Sequence, residues 1–171
     1  MKRHVHVYTG EGKGKTTAAL GLVLRAAGAG HRVLIAQFVK GMKYSELNAI
    51  ERFSGLITLR QYGRGCFILG QPKKADIKAA KNGFDEVKKI IESGHYQVVI
   101  LDEATIATYY RLLTVEDILE LIRVRPQDVE LVITGRYADS RILDRADLVM
   151  EMVEIKHYYQ QGVSVRVGIE K

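Results

Sequence analysis

The stretch YTGEGKGKTTAA, Tyr8 to Ala19, concentrates residues that could do chemistry. Gly10, Gly12 and Gly14 let a backbone turn tightly and aim bare N–H groups at anionic oxygens. Lys15 supplies a mobile point charge, and the Thr16 hydroxyl can join the shell of a magnesium ion. An apolar strand is expected before this loop and an alanine-rich helix after it, so the positive helix end faces the same point. The ordinary phosphate loop reads G-x-x-x-x-G-K-[ST]; here Thr9 stands in the first glycine slot. Lys13 and Thr17 lie within the same run. Glu11, a carboxylate beside phosphate, is expected to point outward, towards a ribose hydroxyl.

A second acidic signal lies far along the chain. QVVILDEA ends an apolar run in Asp102-Glu103, the layout of a strand whose acids contact magnesium directly or through water. Strands often end in acids, so this segment is weak alone; paired with the loop, it predicts a magnesium nucleotide. Manganese is the alternative metal.

Three further segments offer polar groups to the same place. AQFVKG sets Gln37, Phe38 and Lys40 just past a second apolar strand, and VITGR ends another strand in Gly135-Arg136. In an open α/β sheet, strand ends on the side of the loop form the ligand crevice. Glu151, Lys156 and His157 precede the last apolar run. For His157 the simpler reading is a structural histidine, and for Tyr109-Tyr110 and Tyr158-Tyr159 it is packing. For Arg136 and Lys156, a functional and a surface role weigh equally.

The elements that must carry these residues alternate along the chain. Strands are expected at His4–Tyr8, Val33–Phe38, Ile57–Gln61, Val98–Leu101, Leu131–Thr134, Leu148–Met152 and Val163–Val167. Helices are expected at Lys15–Ala27, Ser45–Phe53, Asp76–Glu92, Val115–Val124 and Ser140–Arg145. Runs such as VVIL and LVIT are continuously apolar, which marks strands covered on both faces in a parallel sheet. The alternating VSVRVGI predicts an antiparallel edge at the C-terminal end. Thr114 and Asp117 have the spacing of a capping box. The fold class is therefore α/β, a mainly parallel sheet flanked by helices, in one domain over 1–171.

Composition narrows the function classes. The chain has 171 residues, 47% of them hydrophobic, and one cysteine, Cys66, which excludes an internal disulfide. There is no run of about 18 apolar residues to cross a membrane, so a soluble, cytoplasmic protein is expected. A net charge of +6 suits nucleic acid or a polyphosphate equally. The densest lysine cluster, KKADIKAAKNGFDEVKKIIESG, is one face of an amphipathic helix, and no aromatic platform for stacked bases accompanies it. Nucleic acid is not the expected partner.

TGEGKGKTTAA, AQFVKG, LDEAT, VITGR, ADLVMEM and KHYYQQGVSVRVGIE occur in this order nearly end to end. Together they resemble the P-loop-type ATP:cob(I)alamin adenosyltransferases. The resemblance implies a RecA-like homodimer that transfers the 5′-deoxyadenosyl group of ATP to the Co(I) centre of a reduced corrinoid and releases triphosphate. It implies that Gly10 to Thr16 hold the triphosphate, the γ-phosphate lying where other P-loop enzymes keep the α-phosphate. Thr16 and Glu103 would contact magnesium, with Asp102 reaching it through water. Co(I) is already a strong nucleophile, so no activating base is needed; Lys15, Thr16 and Glu103 are the residues expected to serve catalysis, by stabilising the departing triphosphate. Gln37, Lys40 and Arg136 would line the nucleotide. In YGRGCFILG, Phe67, between Cys66 and Ile68, occupies the stretch that faces the corrinoid in relatives carrying G-x-G-F-x-W. The acceptor is cobalamin or a cobinamide-type corrinoid, and a flavoprotein reductase is the expected electron donor.

Overall fold

In the computed structural model, residues 2–42, 44–65 and 71–170 are described. Six strands form one sheet: β1 (Val5–Thr9), β2 (Val33–Gln37), β3 (Ile57–Gln61), β4 (Val98–Asp102), β5 (Glu130–Thr134) and β6 (Leu148–Glu151). Their order across the sheet is β3-β2-β4-β5-β1-β6, and every pairing is parallel. The helices are α1 (Lys15–Gly28), α2 (Ser45–Ile50), α3 (Lys74–Glu92), α4 (Ala104–Tyr109), α5 (Val115–Val124) and α6 (Ser140–Leu143).

The continuously apolar strands occupy the middle of the sheet because both their faces are covered. Every residue of β2 and β4 is buried. Alternate side chains go to opposite sides, as the pleat requires. Leu34, Ala36, Val99, Leu101, Leu131 and Ile133 share a core with Phe84 and Val87 of α3, Leu121 of α5 and Ile142 of α6. Val33, Ile35, Val98, Ile100 and Val132 instead pack on Ala19, Val23, Ala26 and Ala27 of α1. Alanines on α1 suit that face, since short side chains let the helix lie close to the sheet that carries its loop.

The capping box expected at α5 forms: Asp117 N–H donates to Thr114 Oγ1 at 3.1 Å, and Thr114 N–H to Asp117 Oδ2 at 2.6 Å. The lysine face of α3 is less simple than a solvated surface. Lys81 and Lys88 cross to Asp117 and Glu120 on α5, pinning the two helices side by side.

The expected antiparallel C-terminal edge is not formed. Val163–Val167 is no strand, and residues 167–170 form a turn. The alternation of VSVRV is real, but Gly162 and Gly168 both take positive φ, 81° and 79°, and bend the segment. Arg166 and Glu170 hydrogen-bond to each other across that bend, and Val165 and Val167 stay exposed. Helix α4 is an addition to the expected elements. It starts directly after Glu103, and its Thr, Ile and Tyr content carries weak helical propensity, so tertiary packing decides it: Ala104, Thr105 and Ala107 are buried.

Parallel strands in register bring their C-terminal residues to one edge. Gln37 lies opposite both Asp102 and Gln61, Tyr8 opposite Thr134, and Thr9 opposite Glu151. Among the described residues, five polar or charged ones are buried: Lys15, Gln37, Asp102, Thr105 and Thr134. All five lie in or next to that edge. Burial of polar groups is costly unless they are paired, so the interior concentrates its polarity where a ligand would use it.

Candidate nucleotide and metal site

The loop between β1 and α1 is shaped from two sides. Gly14 sits at φ 115° and redirects the chain into α1. Gly10 and Gly12 have a different reason to be glycine. Gly12 N–H donates to Met152 O at 2.7 Å, and a Cβ on Gly12 would stand 2.7 Å from that oxygen. At Gly10, with φ 95°, a Cβ would stand 2.5 Å from Met152 O and 2.9 Å from the Glu151 side chain. Thr9 stands in the usual glycine slot because it is still strand: its carbonyl accepts from Met152 N–H at 2.8 Å, continuing the β1–β6 ladder.

Lys15 is buried, with 7% of its surface exposed. Its ammonium folds under the loop and donates to Gly10 O at 2.7 Å and Gly12 O at 2.6 Å. Burial lowers its pKa, and the Arg136 charge adds to that, while Glu103 and Glu11 oppose both. A cation is thus pre-placed beneath the N–H groups of the loop.

Asp102 organises the neighbouring strand ends. Its Oδ1 accepts from Thr16 Oγ1 at 2.9 Å and Thr134 Oγ1 at 2.7 Å. Its Oδ2 accepts from Gln37 Nε2 at 3.0 Å and Lys40 Nζ at 2.9 Å. Lys40 also donates to Thr16 Oγ1 at 3.2 Å. Burial works against the Lys40 charge, but Asp102 beside it outweighs this and raises its pKa above the usual lysine value. Gln61 Nε2 holds Gln37 Oε1 at 2.9 Å. Asp102, fully engaged, orients the Thr16 hydroxyl instead of reaching past it.

Glu103 is set apart from Asp102 by a backbone reversal. It takes φ 58° and its N–H donates to Thr134 Oγ1 at 3.1 Å. Burial raises its carboxyl pKa, and the adjacent Asp102 charge raises it further; Lys40, Lys15 and Arg136 act the other way. Thr16 and Glu103 line one cleft, with Asp102 behind the Thr16 hydroxyl, and all three offer only oxygen donors. That donor set fits magnesium, which uses one or two carboxylates and completes its shell with water and phosphate oxygens. Among the described residues no cluster of three or more His, Cys, Asp or Glu forms a protein-only metal cage.

Arg136 reaches the same cleft from the end of β5. Gly135, at φ 138°, lets the chain pass so close to α4 that a Cβ would collide with Thr105 Oγ1. Thr105 Oγ1 in turn donates to Arg136 O at 2.7 Å. The guanidinium stands 3.4 Å from Glu11, and both side chains are about half exposed. Glu11 does point outward, against Arg136.

These groups share a cleft of about 690 Å³. Glu11, Gly12, Lys13, Gly14, Lys15, Thr16, Thr17, Lys40, Glu103 and Arg136, all marked in the sequence, line it. Gln37 lies beneath, reached through Asp102. Lys13 lines the rim, but its ammonium is bound to Tyr158 OH and Glu170 Oε1, both at 2.9 Å. Phe67, with Cys66 and Ile68, lies outside the described residues. Sequence reasoning missed Thr134, whose only signal was a hydroxyl ending an apolar run. It also missed Gln61 and, on the C-terminal wall of the cleft, Glu154 and Glu170; His157, weighed there but read as structural, lies on that wall too. The closing GIE was the one available hint for that wall.

A glycine loop between a parallel strand and a helix, with a buried aspartate at a nearby strand end, defines a P-loop nucleotide-binding protein. A solved KaiC-like protein from the hyperthermophilic archaeon Pyrococcus horikoshii OT3 shares this fold at TM-score 0.59 and 15% identity, over 86% of this chain and 70% of that one. The chain belongs to the ATP:corrinoid adenosyltransferase BtuR/CobO/CobP family, whose model matches residues 1–170. A corrinoid adenosyltransferase of Escherichia coli (strain K12) is 33% identical over 165 residues, covering 96% of this chain and 83% of that protein. The corrinoid adenosyltransferase CobA of Salmonella typhimurium is 34% identical with the same coverage. That of Pseudomonas aeruginosa is 32% identical, covering 96% of this chain and 81% of its own. The family's reaction is ATP-dependent adenosylation of corrinoids.

Three substitutions check the site. Gly12→Ala is expected to weaken ATP binding at least about tenfold and lower the urea midpoint, because the new methyl displaces Met152 from the loop. Gly21→Ala, in α1 with open space around it, should instead stabilise by about 0.5–1 kcal/mol. Equal effects of the two would show that the close approach of Met152 has no consequence. Glu103→Gln addresses charge. A carboxyl whose folded pKa is raised destabilises the fold as pH climbs through that pKa. The glutamine variant should therefore melt higher than the parent at neutral pH without ligand, yet lose magnesium-dependent ATP affinity. A lower melting temperature would overturn this account of Glu103.

Proposed function

We propose that the chain, acting as one domain, transfers the 5′-deoxyadenosyl group of ATP to the Co(I) centre of a cobalamin or cobinamide-type corrinoid. The observation that carries the mechanism is Lys15, held beneath the loop on the carbonyls of Gly10 and Gly12. The attacking cobalt forms a bond to the 5′ carbon while the bond from that carbon to the triphosphate oxygen breaks. The electron pair leaves with the triphosphate, and no proton need move. Catalysis is therefore stabilisation of charge on the leaving group, by loop N–H groups, Lys15 and Lys40, together with alignment of the reacting atoms.

Magnesium, or manganese in its place, would be held by the Thr16 hydroxyl and Glu103, with Asp102 behind Thr16. When bound, it neutralises part of the charge on the triphosphate. Lys40, held on Thr16 and Asp102, lines the cleft where it would add a positive charge beside the phosphates. Arg136 faces the nucleotide beyond Glu11. Phe67 is the residue proposed to contact the corrinoid. The reductant is a flavoprotein reductase, and the compartment is the cytoplasm, where ATP and reducing power meet.

Incubating the protein with ATP, magnesium chloride and chemically reduced cobalamin or cobinamide should give a light-sensitive carbon–cobalt product and intact triphosphate. ADP and phosphate without that product would mark a β–γ-cleaving ATPase instead. Lys15→Ala should lower kcat by about 10²–10³-fold, the usual loss when a preorganised charge-stabilising group is removed. Near-normal turnover in that variant would remove Lys15 from the mechanism.

The working unit is a homodimer in this proposal. Strand β6 is an edge strand whose Leu148, Val149 and Met150 are all exposed, and Val153, Ile155 and Tyr159 beyond it are exposed as well. Exposed apolar edges are usually covered. The double substitution Val149→Lys, Met150→Lys should shift sedimentation from dimer to monomer; an unchanged dimer would place the interface elsewhere.

A further inference from the structure

A second cavity lies beside the nucleotide cleft and shares no lining residue with it. The backbone just past β2 separates the two: Val39 lines the second cavity, and Lys40, the next residue, lines the cleft. Whatever occupies this pocket therefore sits a single chain's width from the nucleotide. Its volume is about 350 Å³, at the small end of ligand sites. That is room for a bicyclic base and a sugar, not for a macrocycle.

The walls of the pocket are fixed in place. Phe38, Val39, Tyr62 and Leu112 give it an apolar floor. The Tyr62 ring packs on Phe38, with 5.6 Å between centroids, and lies so close to α3 that a Cβ on Gly83 would collide with it. Gly63 meets Val39 backbone on backbone, with no room for a Cβ. Gly41 N–H donates to Gly65 O at 2.7 Å, tying the same two segments together. An aromatic ring held in a set plane by its neighbours is a stacking surface prepared in advance.

The rim carries the charge. Arg64 and Lys73 line it, and both are exposed. The carboxylate beside them, Asp76, is engaged at the start of α3, where it accepts from Lys73 N–H at 2.9 Å. Arg64 stands 3.6 Å from Asp76, too far for a hydrogen bond. Its planar fork of donors is therefore open to another anion. An aromatic floor under a cationic rim fits a heteroaromatic base joined to a phosphate.

One of the two candidate acceptors carries such a group. Cobalamin has a lower arm of phosphodiester, ribose and benzimidazole base, which cobinamide lacks. Co(I) binds no lower base, so in the reacting state that arm hangs free. Phe67 lies in sequence between Gly65 and Gln71, and both of those residues line the pocket. We propose that this pocket is a subsite for the nucleotide arm of the corrinoid, with the base on Tyr62 and the phosphodiester at Arg64 and Lys73, making cobalamin the preferred acceptor over cobinamide. This rests on the corrinoid-transfer reading of the protein.

Anaerobic equilibrium dialysis of the full chain tests it, with magnesium tripolyphosphate in place of ATP so that no transfer occurs. The probes are the Co(I) forms of cobinamide, cobinamide phosphate and cobalamin, which carry neither group, the phosphate alone, and phosphate with base. Cobalamin should bind at least about tenfold more tightly than cobinamide, the worth of one charge-assisted contact, with cobinamide phosphate between them. Arg64→Ala, at an exposed position, should lower affinity for cobalamin and cobinamide phosphate about tenfold and leave cobinamide unchanged. Arg64→Lys should recover part of that loss. Wild-type binding of all three probes with one affinity overturns the inference, and needs no variant to fold. So does an equal loss of all three in Arg64→Ala, which would make the residue a prop of its loop. A second equivalent of ATP bound per chain, lost in Arg64→Ala, would make the pocket a site for free nucleotide and overturn it too. If the wild-type chain binds none of the three, with tripolyphosphate or with ATP, the corrinoid-transfer reading fails and the inference falls with it.

Discussion

The carboxylate of Asp102 is the constraint on which the rest of this structure depends. A buried charge is tolerated only when hydrogen bonds replace the lost water, and here four do: from Thr16, Thr134, Gln37 and Lys40. Those donors come from α1, β5, the end of β2 and the residues just beyond it. Satisfying one ion therefore fixes the relative positions of three neighbouring strand ends and of the helix that opens the phosphate loop. Removing one partner from a buried ion pair typically costs about 3–5 kcal/mol, a large share of the stability of a domain this size. The same contacts that stabilise the sheet edge thus hold the Thr16 hydroxyl in place. Structure and site are not separate loads on this sequence.

Much of this was legible in the residues, for identifiable reasons. Strands β2 and β4 announce themselves because a strand covered on both faces has to be apolar throughout, and five buried residues in a row leave no other periodicity. The α5 cap was readable because Thr114 and Asp117 act within four residues of each other. The phosphate loop is equally local. What stayed hidden depends on partners distant in sequence. Thr134 looks like any hydroxyl ending a strand until Asp102 is placed beside it. Gly12 reads as loop flexibility, whereas its lack of a side chain answers to Met152. Helix α4 has no side-chain cap and only two alanines among weak formers in six residues, so its packing reveals it.

The C-terminal segment shows the opposite failure. Its alternating valines are a fair strand pattern, and local reasoning had no means to see that two glycines at positive φ and the Arg166–Glu170 pairing would override it. Lys13 is a related case. Its position inside the loop suggests phosphate, yet its ammonium is held by Tyr158 and Glu170. A lysine two residues from Lys15 serves the wall of the cleft instead of its floor. Position in a motif fixes where a side chain starts, and the surrounding fold fixes where it ends.

The joining of the loop to the chain beyond β6 bears on how the protein comes into being. Lys13 and Tyr158 are 145 residues apart in sequence, so the loop meets these supports only after the sheet strands between them have been made. Contacts of such long range form late, because the entropy of closing a large loop must be met first. Met152 is a distant support: Lys15 holds the loop carbonyls from within the motif, while Gly12 N–H depends on Met152 O. The shape of the receptor is therefore shared between a local motif and the edge of the sheet, since Met152, just past the end of β6, supports the loop from far along the sequence.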